Sequence, residues 1–135
     1  MTDTLSLGMA RAWPCYLLWI DGAAAATAAV LLFGLGPWLS HWYGLPAELL
    51  QLIALVSLGY AAYSLNLARL SRRPAWALVL LVSANALWAL LCLRWALQYG
   101  ATASLLGVLH LLVEALFVGT LAALEWRWRA HLLAA

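Results

Sequence analysis

Four apolar runs, at about residues 13–35, 47–69, 76–97 and 103–125, constrain what this chain can fold into more than any other feature. Each reaches the roughly 20 residues that an α-helix needs to cross a hydrocarbon core of about 30 Å. Of the 135 residues, 67% are hydrophobic and 9% charged, far from the composition of an ordinary soluble domain. Four spans leave only short loops. The chain therefore reads as one domain, residues 1–135, all-α: a four-helix transmembrane bundle running up, down, up, down. Any chemistry must lie inside the bundle or at its two rims.

The seven basic residues, all arginines, set the orientation. Arg11, Arg69, Arg72, Arg73, Arg127 and Arg129 fall on one side and Arg94 on the other, so the positive-inside rule predicts that both termini and the loop "RLSRRPAW" are cytoplasmic. Trp13, Trp76, Trp126 and Trp128 are expected at that boundary, and Trp38, Trp42 and Trp95 at the outer one. The first run has a weakly basic start and is long, which reads as a retained helix rather than a cleaved leader. Its small-residue stretch "DGAAAATAA" predicts close packing against a neighbouring helix. "GLGPWLSHWYGLPAE" is expected to form the outer loop between Pro37 and Pro46. Pro74 ends one helix and opens the next, and "QYGATA" is a brief turn. Cys15 and Cys92 lie at depths of about 5 Å and 24 Å, too far apart to bridge, and read as small apolar fillers. No metal-binding spacing is present.

The scarce polar residues carry the functional expectation. At about 1.5 Å per residue from the cytoplasmic boundary, Asp21 lies about 12 Å deep, Tyr60 and Asn85 about 14 Å, and Glu114 about 18 Å, one from each helix. Trp88 and Ser57 share the layer. On the fourth helix Gly107, His110, Glu114, Phe117, Leu121 and Glu125 fall in one stripe, and a carboxylate facing lipid would cost at least about 2.5–3.5 kcal/mol, so the stripe should face inward. No arginine reaches that level. Two acids in low dielectric without a cation cannot both ionise cheaply, so Asp21 and Glu114 are expected to meet and share a proton. Asp21, Tyr60, Asn85, Trp88, His110 and Glu114 are the candidate ligand-binding residues, with a static network or a metal site as the other outcomes.

Other features read more plainly. His110 precedes Glu114 by one helical turn, as a shared ligand or as a helix-to-helix hydrogen-bonding residue. The Glu-x-x-His pattern of di-iron bundles is absent, and His41 lies in the expected outer loop, out of place for haem ligation. Nothing resembles an activated nucleophile, a phosphate-binding loop or a nucleic-acid surface. Glu125, with Arg127 and Arg129, reads as an interfacial anchor. Ala115, Gly119 and Ala123 form a small-xxx-small face that suits either another helix of the bundle or a second copy of the chain.

The stretches "YGLPAELL", "GYAAY", "RRPAW", "NALWAL" and "LEWRW", within residues 43–128, resemble a group of small, uncharacterised four-helix bacterial integral membrane proteins, loosely DoxX-like. The resemblance implies a compact four-helix bundle in a bacterial inner membrane and carries no activity. Two functions from different classes follow. One is binding or transport of a small hydrophobic or cationic ligand at the midplane, linked to a proton; the other is an accessory subunit whose polar layer fixes helix register. A membrane enzyme acting on a lipid-like substrate stands third. A void at the level of the acids favours the first, and a close-packed, fully paired layer the second.

Overall fold

The structure, a computed structural model, describes the backbone of residues 2–134 and the side chains of residues 13, 14 and 16–134; the side chains of Arg11 and Cys15, on which two expectations fall, lie outside those described. Five helices follow one another: α1 (Thr2–Tyr43), α2 (Ala47–Arg69), α3 (Ala75–Tyr99), α4 (Leu105–Arg127) and the short α5 (Arg129–Ala134). Four of them are long and apolar enough to cross a membrane, the first through its segment Tyr16–Tyr43. Large apolar side chains such as Leu97, Leu105, Leu116 and Val30 stand exposed on the outside of the bundle, compatible with contact with lipid. The protein is a multi-pass membrane protein with an all-α four-helix bundle.

The expected outer loop is mostly helix. The α1 backbone continues through Pro37 to Tyr43, because a proline removes one donor, and a membrane helix in a protein context tolerates that single loss. Leu39 and Tyr43, beyond the proline, pack against the core and reward the continuation. The chain turns at Gly44, whose φ of +61° suits glycine, and the Gly44 amide donates to Ser40 O at 3.0 Å. Ser40 Oγ donates to Leu45 O at 2.7 Å, leaving a connection of a few residues before α2.

Close backbone contacts concentrate within two hairpins, α1 with α2 and α3 with α4. Between the hairpins, α1 meets α4 most closely at the Tyr43 end. There the Ser104 amide donates to Tyr43 O at 2.8 Å, and Ser104 Oγ donates to Trp42 O at 2.7 Å. A Cβ at Gly107 would collide with the Tyr43 carbonyl, so only glycine lets the two backbones approach this far. Two apolar clusters fill the bundle: one near the Tyr43 end around Leu50, Ile53 and Leu111, the other near the Arg73 end around Leu18, Leu81 and Leu132.

The Arg73 end holds a second departure from expectation. Arg73 is largely buried, and its guanidinium donates to Leu67 O, Ala68 O and Leu132 O at 3.0, 3.1 and 2.8 Å. Two of these carbonyls belong to the last turn of α2 and the third to α5, so one cation closes a helix C-terminus and anchors the terminal helix beneath the bundle. Leu132 of α5 is completely buried.

Candidate functional site

Between the two hairpins lies a cavity of about 290 Å³, at the lower edge of the roughly 300–1,000 Å³ typical of small-molecule sites. All six candidate residues line it: Asp21 from α1, Tyr60 from α2, Asn85 and Trp88 from α3, and His110 and Glu114 from α4. They do not meet at one level. The polar groups divide into two sets, one toward each end of the bundle.

The first set surrounds Asp21, which is 3% exposed. Tyr60 donates its hydroxyl to Asp21 Oδ2, and Asn85 Nδ2 donates to the same oxygen at 3.2 Å. The same amide nitrogen also donates to Glu125 Oε2 at 3.1 Å. Asn85 thus bridges two carboxyls, one from α1 and one from α4. Glu125 is 0% exposed, does not line the cavity, and its Oε1 has no hydrogen-bond partner among the described residues.

The second set surrounds Glu114. Trp88 Nε1 donates to Glu114 Oε1 at 2.8 Å, and His110 Nε2 lies 3.3 Å from Glu114 Oε2. That last approach has the distance of an ion pair but not the alignment of a hydrogen bond, so His110 Nε2 is buried without a hydrogen-bond partner. The imidazole also packs against the Tyr43 ring, with centroids 5.1 Å apart.

Two expectations are therefore corrected. Asp21 is joined through Asn85 to Glu125, not to Glu114, and Glu125 is no interfacial anchor. The reason is the stagger of α4. Depth along α4 counts from Trp126 only if the chain leaves the membrane there, but α5 follows and packs Leu132 into the core beneath, so Glu125 reaches Asn85, ten residues into α3. Glu114 and Glu125 are eleven residues apart, about 16 Å along the helix axis, which separates the two polar sets. Glu125 could have been found by its angle alone, since it shares the inward stripe with His110 and Glu114.

Small side chains make the cavity. Ala24, Ala25 and Ala28 of α1 line it, while the close packing expected of this stretch occurs at its start, where a Cβ at Gly22 would meet Leu65 of α2 at 2.7 Å. Alanines opposite α4 leave room because nothing larger crosses the gap. Ser57, Val56, Val113 and Phe117 complete most of the lining. Val113 (62% exposed), Phe117 and Val56 also reach the outer surface of the bundle, so the cavity extends toward lipid along the seams between the hairpins.

Among the described residues no group of three or more His, Cys, Asp or Glu converges as a metal site. Cys92 is free and buried. Of the small-residue face on α4, Ala115 is buried, a Cβ at Gly119 would stand 3.6 Å from Ala89 of α3, and Ala123 is exposed; the face thus forms one wall of a shallow apolar groove between α3 and α4. No family model, curated protein or solved structure matches the chain.

Proposed function

We propose that this protein binds, and in its membrane moves or presents, a small hydrophobic or cationic ligand held in the cavity between the α1/α2 and α3/α4 hairpins. The observation that carries the reading is the coincidence of a void with the polar groups: in a bundle that could have closed its core with leucine, a space of about 290 Å³ is kept open beside Asp21, Tyr60, Asn85, Trp88, His110 and Glu114. Buried ionisable groups in a membrane are expensive and mark sites more often than scaffolding. Aromatic and alanine walls suit an apolar body, and the two carboxyls give it a polar contact at either end.

The arginine distribution supports cytoplasmic termini, and the stretches named above support a bacterial inner-membrane, DoxX-like relationship, as part of the same proposal. Self-association through Ala115, Gly119 and Ala123 belongs to it as well. A Gly119→Ile variant should shrink the particle measured in detergent, and an unchanged size removes that element.

Native mass spectrometry of protein extracted gently with its lipids tests the central reading. A small molecule retained by the wild type and lost in Ala28→Leu, which fills the wall, supports it. Identical bare masses for both would overturn it. A second reading, an accessory subunit, draws on Asn85, whose bridge between Asp21 and Glu125 ties three helices in register. It expects Ala28→Leu to leave every activity of the host complex unchanged.

A further inference from the structure

We infer that the ligand of this cavity is an organic monocation whose charged head pairs with Asp21, in competition with a proton. The inference rests on the proposed cavity site and names the chemistry of its occupant.

Asp21 is the cavity-lining carboxyl that has no basic side chain in contact with it among the described residues. Both of its protein donors, Tyr60 Oη and Asn85 Nδ2, are neutral and converge on Oδ2, and the carboxyl also lies against that of Glu125. Glu114, at the other end, accepts from the Trp88 indole on Oε1 and has a basic group beside it, with His110 Nε2 3.3 Å from Oε2. Glu125 stands behind Asn85 and outside the lining.

The charge around Asp21 is one-sided. The groups facing it are Tyr60 from α2, Asn85 from α3 and Glu125 from α4, with Glu114 and His110 farther along the cavity. Among the described residues no arginine pairs with any of these acids: the one ion-pair contact is His110 with Glu114, and the buried Arg73 spends its donors on carbonyls. A carboxylate withdrawn from water needs a counter-charge or a proton. Asp21 lines a volume whose wall includes Tyr60, Trp88 and Phe117, aromatic rings of the kind whose faces attract cations. An ammonium or amidinium on a single-ring apolar body would meet carboxylate and aromatic faces together. A neutral hydrophobe would leave the carboxyl to a proton.

The test uses two probes of one shape, benzyltrimethylammonium and its uncharged isostere neopentylbenzene, titrated calorimetrically into the full chain in detergent. Neither can release a proton, so any pH dependence belongs to the protein. At pH 8 the cation should bind at least tenfold more tightly than the isostere; this preference should fade as the pH drops toward 5, because protonated Asp21 carries no charge. Asp21→Asn should lose the preference at every pH while still binding neopentylbenzene, which also shows that the variant is folded. Equal binding of the two probes, or a preference retained in Asp21→Asn, overturns the inference and leaves the cavity reading intact. Failure of the wild type to bind either probe overturns both.

Discussion

Single residues in this bundle are informative where a polar group has lost water. Arg73 is the clearest case. Its guanidinium donates to three carbonyls at the end of the bundle, two of them in the last turn of α2 and one in α5, so Arg73→Ala should cost about 2 kcal/mol or more and release α5. Hydrogen exchange of residues 129–134 checks this: their amides should become unprotected while α3 keeps its protection. A positive-inside count treats Arg73 as one charge among six, yet its neighbours Arg69 and Arg72 are exposed and make no such contacts. Glu125 holds α4 to α3 through Asn85. Glu125→Leu, of comparable bulk, removes a buried carboxyl that is only half satisfied, and should leave thermal stability within about 1–2 kcal/mol of the wild type, since interhelical hydrogen bonds in membranes average about 0.6 kcal/mol. A collapse of the melting temperature in that variant would show that the bridge, not the apolar packing around it, holds the helices in register.

Between elements, the decisive contact is the crossing of α1 and α4 at the Tyr43 end. Gly107→Ala puts a methyl group against the Tyr43 carbonyl, and no rotamer can relieve a clash between Cβ and backbone. The helices must separate, with loss of the Ser104 amide bond to Tyr43 O, at a cost of about 1–3 kcal/mol. A thermal melt of the variant checks the size, and Gly119→Ala, which meets nothing closer than Ala89 at 3.6 Å, provides the control that should melt like the wild type. The helices themselves were legible in the sequence: α2, from Ala47 to Arg69, begins and ends where proline and arginine flank its apolar run. The end of α1 was not, because Pro37 signals a break and nothing local reveals that Leu39 and Tyr43 will find partners in the core.

At the scale of the whole molecule, two tightly packed hairpins meet across a seam that is only partly closed. Alanines on one side and valines on the other leave the space, so Ala28→Leu should fold as well as the wild type or slightly better while excluding any occupant. Unaltered probe binding in Ala28→Leu would place the ligand elsewhere. The inward direction of the candidate residues could be read from helical angle, and all six do line one cavity. Their pairing could not. Spacing along one helix gives depth only relative to that helix's own end, and α5, short and weakly marked, shifts the end of α4 relative to α3. By itself the sequence determined four apolar spans, the short connection between α3 and α4, and the face each polar residue would hide from lipid, because hydration and helical geometry act within a segment. Only the tertiary structure decided that Asn85 joins Asp21 to Glu125 and that a cavity separates them from Glu114, because stagger and voids arise from how side chains of different helices fill shared space.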